Sequence, residues 1–301
     1  MTETHDIEYK HSWRDEYLKW ICGFANARGG ILEIGRDDRG APVGVTDAKK
    51  LMEDLPNKIR DMLGIVPDVE LFREEGKDLV RITVEPYPHP VSYKGQYHVR
   101  SGTTKQELKG AALDHFLLHK TGRHWDAVPV PRVTVDDLDA AEISRFRDRA
   151  ARSKRLTQDV LEEDDAMFIE RLRLKDGDLL KRAAVLLFHP DPECMITGAY
   201  IKIGFFESDS ELRYHDEIHG NLFSQADKTM DLLLTKYLQA AISYEGVQRV
   251  ETYPVPEAAL REALLNAIVH KDYGSGIPIQ ISIYRDRLLF WNNGCLPNEW
   301  T

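Results

Sequence analysis

Phe24-Ala-Asn-Ala-Arg-Gly-Gly-Ile-Leu-Glu-Ile-Gly35 holds the passage from a helix to a strand, and its reading sets the architecture of the amino-terminal part of the chain. Upstream of it, Trp13, Tyr17, Trp20, Ile21, Phe24 and Ala25 recur at helical spacing, so a helix running to about Ala27 carries one apolar face. Gly29 and Gly30 stop that pattern where a left-handed cap is wanted, because glycine enters positive φ without a Cβ penalty. Asn26 and Arg28, polar at the helix end, are expected to stabilise the loop. Ile31-Leu-Glu-Ile-Gly35 follows as a short strand. Arg36-Asp-Asp-Arg-Gly40 supplies turn chemistry, and Ala41-Pro-Val-Gly-Val45 is expected to pair back on the strand as a hairpin.

Further along, Leu51, Leu55, Ile59 and Leu63 form one stripe of a helix from Lys49 to Leu63, and strands are expected at Val69 to Phe72, Leu79 to Val84 and Tyr97 to Val99. The sum is an α+β domain ending near His124, with a boundary set at residues 1–125. Ala127-Val-Pro-Val-Pro-Arg-Val133 reads as a linker, since its prolines oppose helix. An α/β middle segment, 126–250, is expected next. It is mostly helical to Arg173, then has a buried element at Arg182 to Phe188, a strand at Ala199 to Phe206 and a long amphipathic helix from Leu222 to Ala241. Asp136, Asp137 and Asp139 open the first helical stretch and Arg152, Lys154 and Arg155 close it, which suits the helix dipole at both ends.

The last part, 251–301, turns on Arg261-Glu-Ala-Leu-Leu-Asn-Ala-Ile-Val-His270, an apolar helix carrying Glu262, Asn266 and His270 at four-residue spacing. That spacing stacks the polar groups on one face. A carboxylate beside a carboxamide suits a magnesium ion with its waters, while capping and backbone bonding remain open as plain structural roles. Strands at Pro278 to Tyr284 and Leu288 to Trp291 follow, joined by a turn at Arg285-Asp-Arg287.

Composition limits the classes available. The 301 residues are 42% hydrophobic and 30% charged, ordinary values for a globular chain, and the net charge is -10. No basic leader or membrane-length apolar run is present in the sequence, so a cytoplasmic protein without a membrane role is expected. Cys22, Cys194 and Cys295 lie too far apart for a zinc or disulfide framework. The acidic balance argues against a chain coated in nucleic acid, yet it leaves room for local basic stretches at Lys94 to Arg100, His119 to His124 and Arg145 to Arg155.

Glu8-Tyr-Lys10, the segment ending Phe24 to Gly30, Leu32-Glu-Ile-Gly-Arg-Asp-Asp38 and Tyr97-His-Val-Arg-Ser-Gly-Thr-Thr104 occur in the order found in the Schlafen AlbA-type domain, and the first 120 or so residues resemble it. The resemblance implies nucleic-acid binding in bacterial regulators and metal-dependent cleavage of transfer RNA in some animal members. For cleavage it implies Glu3, Glu8 and Asp37 as catalytic carboxylates, with Glu8 and Asp37 holding magnesium or manganese. A frayed terminus, an ion pair and a turn are the plain readings of the same residues.

The carboxy-terminal order resembles the amino-terminal half of the GHKL ATPase fold, a partial α/β sandwich. It implies ATP and magnesium there, with Asn266 as metal ligand and Glu262 as polarising base. Asn292-Asn-Gly-Cys-Leu296 stands where that family has Asp-x-Gly-x-Gly, so Asn292 and Gly294 are the adenine-side candidates, with Asn and Leu replacing the family's Asp and second Gly. The chain stops at Thr301, before the glycine-rich lid, so ATP hydrolysis by this chain alone is not expected. Proteins joining the two modules are often labelled transcriptional regulators or RecG-like, but the sequence has no Gly-x-x-x-x-Gly-Lys-Ser/Thr loop and is not expected to be a helicase.

For phosphate contact, Arg100 with Ser101, Thr103 and Thr104 offers a guanidinium, hydroxyls and backbone amides, and Lys10, Arg36, Lys94 and Lys105 extend the patch. The expectation is a DNA- or RNA-binding regulator with an ATP-binding-like module. A metal-dependent endoribonuclease acting on structured RNA is the alternative, and a homodimer is left open.

Overall fold

The structure, a computed structural model, describes residues 6–102, 104–238, 240–245 and 248–294. Glu3, Thr103, Cys295 and Leu296 therefore lie outside the described residues. The chain divides into two compact units, Met1–Arg123 and His124–Thr301. Both are mixed α and β.

The first unit is built from β1 (Ile7–Lys10), α1 (Leu18–Asn26), β2 (Gly30–Ile34), α2 (Ala48–Leu63), β3 (Asp68–Glu74), β4 (Lys77–Val84), β5 (His98–Ser101), β6 (Thr104–Glu107) and α3 (Gly110–Lys120). A 3₁₀ turn at Asp15–Tyr17 leads into α1. Gly29 ends the helix at φ +84°, and a Cβ on Gly30 would stand 2.1 Å from the Phe24 ring. The expected glycine punctuation thus has a second cause: the strand starts hard against the helix it leaves.

Strands β1-β2-β4-β3 form one sheet in that order, β1 parallel to β2 and the other pairs antiparallel. Alternation then fixes the faces. Leu32, Ile34, Val80, Ile82 and Val84 meet Ile21, Phe24 and Ala25 of α1 and Leu55, Ile59 and Leu63 of α2 in a single core. On the opposite face, buried Glu33 bonds Arg36 and Arg81, and Arg81 lies 4.5 Å from the Phe72 ring centroid. The hairpin strand expected at Ala41 to Val45 is not formed. Arg36 and Pro42 make an isolated bridge instead, flanked by bonds from the Asp37 N–H to the Ala41 carbonyl and from the Val43 N–H to the Gly35 carbonyl; the pairing stops there because the Gly44 N–H turns to the same Gly35 carbonyl and the Val45 N–H to the Asp78 carbonyl.

The second unit contains β7 (Pro129–Val130), α4 (Ala140–Ser153), α5 (Gln158–Leu161), α6 (Asp165–Arg171), β8 (Lys175–Asp176), β9 (Leu179–Lys181), α7 (Arg182–Phe188), β10 (Ile201–Ser208), β11 (Glu211–Ile218), α8 (Leu222–Leu232), β12 (Ala241–Glu245), β13 (Gln248–Thr252), α9 (Glu257–Val269), β14 (Ile279–Ile283) and β15 (Leu288–Trp291). One core gathers Ile143, Phe168, Ile169, Leu180, Val185 and Phe188. Beside it lies a sheet of order β11-β10-β14-β15, in which β10 and β14 run parallel. Its isoleucines Ile201, Ile203, Ile279, Ile281 and Ile283 pack on Met230, Leu233, Leu260, Leu264 and Ile268.

That sheet takes strands from both sides of residue 250, the boundary expected from the sequence, because β10 pairs in parallel with β14. The helix expected from Leu222 to Ala241 is also shorter. Its α-helical part stops at Leu232, a π-helical turn runs from Leu233 to Tyr237, and Ala241 already belongs to β12.

Candidate nucleic-acid interface

The side chains of interest in the first unit gather where β5 crosses α1. The two elements pack in ordinary contact at Gly23, where a Cβ would stand 3.6 Å from the Arg100 amide nitrogen. Asn26 latches it: Nδ2 donates to the carbonyls of Val91 (2.7 Å) and His98 (2.8 Å), and Oδ1 accepts from the Val91 N–H (2.9 Å). The loop-stabilising role expected of Asn26 is therefore a clamp between helix and hairpin.

Beneath the crossing, Glu8 is buried at 4% exposure. Its Oε1 lies 2.5 Å from Lys10 Nζ and its Oε2 accepts from Arg100 Nη1 at 2.7 Å. Arg100 itself is 6% exposed, its guanidinium 4.9 Å from the Phe24 ring centroid. Arg36 is likewise buried, bonded to Glu33 and bidentate to Glu74, and these carboxylates hold its guanidinium above its ordinary range. These placements count against the expected phosphate contact of Arg36 and Arg100, both buried and paired. A guanidinium sealed against a carboxylate and a ring is part of the architecture, since separating it would strand two buried charges.

Asp37 is engaged too, its Oδ1 accepting from the Arg39 and Ala41 N–H groups in a turn. Among the described residues no group of three His, Cys, Asp or Glu side chains is arranged to hold a metal. Glu3 falls outside that set of residues.

What reaches solvent is a set of lysines around Trp20, a half-buried residue at the core's rim. Lys105 Nζ lies 4.7 Å and Lys10 Nζ 5.3 Å from its ring centroid. Lys10 is tied to Glu8, but neither Lys19 nor Lys105 forms an ion pair among the described residues. Burial pushes the Lys105 ammonium below its usual value and the charge of Lys19 pushes the same way, with Glu107 and Glu16 opposing. Ser101 and Thr104 are exposed at the hairpin tip, where Thr104 Oγ1 donates to the Ser101 carbonyl at 2.9 Å. Lys94 is exposed in a separate turn at φ 52°, 5.3 Å from the Tyr93 ring centroid.

Trp20 and Lys19 were not singled out by the sequence as site residues. Trp20 reads as one more member of the apolar stripe, and only the position of β6 beside it brings Lys105 over the ring. Below them His98 is buried, with neither ring nitrogen hydrogen-bonded among the described residues; burial and the charge of Lys105 hold it below its ordinary pKa.

Residues 3–109 match the family model described as Schlafen, AlbA_2. The chain carries a Schlafen AlbA_2 domain at its amino terminus. Among solved structures, the DIP2311 protein from Corynebacterium diphtheriae is similar at 20% identity and a TM-score of 0.43, over 97% of this chain and 62% of that one. The chain thus spans less than two thirds of that protein's length. The amino-terminal domain of a RecG-related protein from Nitrosomonas europaea is similar at 27% identity and a TM-score of 0.28, over 36% of this chain and 86% of that one. No relative among the curated proteins matches the sequence. No helix among the described residues is long and apolar enough to cross a membrane.

Outside the AlbA_2 domain, α9 places Glu262, Asn266 and His270 on its exposed side, with Asn266 Nδ2 donating to Glu262 Oε1 at 3.3 Å. Their polar atoms fit a hydrated cation: a carboxylate and a carboxamide one turn apart, open to solvent. Asn292 is less available, because its Nδ2 donates to the Ala267 carbonyl and its Oδ1 accepts from the Gly294 N–H, both at 2.9 Å. Gly294 passes so close to α9 that a Cβ would stand 2.0 Å from the His270 carbonyl oxygen. Lys271, just beyond the helix, is buried over the Tyr273 ring at 4.2 Å, and burial lowers its ammonium to about 8.

Proposed function

We propose that the chain is a cytoplasmic nucleic-acid-binding transcriptional regulator, with phosphate contact made by the AlbA_2 domain and an ATP-binding-like module at α9. The observation that carries this reading is the Lys105 ammonium, 4.7 Å from the Trp20 ring centroid, which the Lys10 ammonium also approaches to 5.3 Å, with no carboxylate bonded to Lys105 among the described residues. Cations gathered at one aromatic rim in this way attract a polyanion. Lys10, Lys94, Ser101 and Thr104 supply further donors around it. Regulation is preferred to cleavage because Glu8 is committed to Lys10 and Arg100, and Asp37 to backbone amides.

The test is anisotropy titration of labelled duplex DNA and structured RNA across a salt series. Affinity is expected to fall linearly on logarithmic axes, and Lys105→Ala to flatten the slope by about 0.9 on duplex DNA, the share of one phosphate contact. Absence of binding, or binding indifferent to salt, would refute the reading. Manganese-dependent fragments lost in Glu8→Gln would replace regulation by cleavage. For α9, the reading takes Asn266 as the ligand that would hold magnesium and Glu262 as its neighbour, with magnesium supplying charge neutralisation for a bound nucleotide.

A further inference from the structure

We infer that the AlbA_2 domain takes single-stranded nucleic acid, with an unpaired base laid against Trp20 while the Lys105 ammonium moves from the ring to the adjoining phosphate. The inference rests on the phosphate reading above and names the substrate class of the same site.

An indole at the rim of a core is costly to leave wet, and here it is not alone. Trp20 meets Tyr17 edge to face at 5.8 Å, and Tyr17 meets Trp13 in the same manner at 6.1 Å, so an aromatic run lines the start of α1 beside the lysines. Duplexes present phosphates and groove edges, with base faces hidden in the stack. Single strands expose those faces, and aromatic rings interleaved with cations are the surface that receives them. The two ammonium groups near the Trp20 ring differ in freedom. Lys10 is held by Glu8 at 2.5 Å, whereas Lys105 forms no ion pair among the described residues. Its flexible stem lets the ammonium leave the ring while the methylenes stay against it. A base then replaces the cation on the indole, and the freed cation meets the phosphate carried by that base. No covalent step is involved.

The experiment titrates the full chain with a labelled single-stranded DNA, the same sequence as RNA, and the blunt duplex. The wild type is expected to prefer the single strands. Trp20→Leu is expected to lower single-strand affinity about 5- to 100-fold with little change on the duplex, the range that loss of one base–aromatic stack allows. Trp20→Tyr, which keeps a ring, should recover most of it, and this variant decides the matter if Trp20→Leu disturbs folding by circular dichroism. Lys105→Ala should weaken both substrates. If strands and duplex bind alike and Trp20→Leu and Trp20→Tyr change neither, the stacking inference falls and the phosphate reading stands. If the wild type binds none of the three, both fall.

Discussion

In the first unit the Glu8 carboxylate is sealed between Arg100 and Lys10, whereas in the second the Glu262 carboxylate lies on an exposed helix face with Asn266 as its hydrogen-bond partner. Glu262 stands out in the sequence as a polar group in an apolar helix, whereas Glu8 stands out only through the resemblance to the Schlafen AlbA-type domain. Their surroundings give them different meanings. A buried charge must have its counter-charge inside the protein, so its partners become part of the fold. An exposed carboxylate and carboxamide cost the fold little and remain available to a ligand. The contrast recurs among the cations of the first unit, where Arg36 and Arg100 are paired inside while Lys105 forms no ion pair among the described residues.

The largest expected effect breaks the buried side of this comparison. Glu8→Ala removes the buried carboxylate bonded to both Arg100 and Lys10, and should destabilise the first unit by about 3–5 kcal/mol in denaturant titration. A loss under about 1 kcal/mol would mean that Glu8 is not the counter-charge the geometry makes it. Next in size is Asn292, which ties the loop after β15 to the last turn of α9. Asn292→Ala removes the bond to the Ala267 carbonyl and the bond from Gly294, for an expected loss of about 1–2 kcal/mol read from thermal unfolding. An unchanged transition would return Asn292 to the role of a ligand-facing residue.

Much of the backbone was legible because period and punctuation act over a few residues. The stripe Leu51, Leu55, Ile59 and Leu63 lies on α2 (Ala48–Leu63), and Gly29 and Gly30 end α1 where the sequence requires it. What was not legible depends on residues far apart. Arg100 meets Glu8 across 92 positions, and Arg36 meets Glu74 across 38. Local pattern marks such residues as charged but says nothing of whether a carboxylate waits for them. Trp20 failed in the opposite direction. Its spacing belongs to a core stripe, and only the hairpin β5–β6, packed back onto α1, sets Lys105 beside it. The expected strand at Ala41 to Val45 ends after one bridge because Gly44 doubles back on the Gly35 carbonyl and Val45 donates to the Asp78 carbonyl, bonds that local alternation does not reveal.

A smaller effect sharpens the comparison by pH. His98 is buried beside Lys105, and desolvation first, then the Lys105 and Lys19 charges, hold its pKa below the unfolded value, with Glu107 opposing. The sign follows from linkage: the unfolded chain takes up the proton more readily, so stability is intact above the ordinary histidine range and declines as pH falls through it. Melting temperature measured from about pH 8 down to pH 5 should therefore drop more in wild type than in His98→Leu. Equal drops would place the acid sensitivity elsewhere.

The smallest effect on stability is expected at Glu262, and it completes the contrast with Glu8. Its carboxylate is exposed, its bond to Asn266 is 3.3 Å long, and its removal strands no buried charge. Glu262→Ala should shift unfolding by less than about 0.5 kcal/mol. Asn266→Ala should be as mild for the fold, yet on the proposed reading calorimetry with ATP and magnesium should show heat for wild type and none for that variant, because that reading makes the carboxamide the magnesium ligand. If Glu262→Ala instead unfolds the second unit, α9 is held by its outer face as well as its inner one, and the division between architectural and available polar groups fails where it is drawn most sharply.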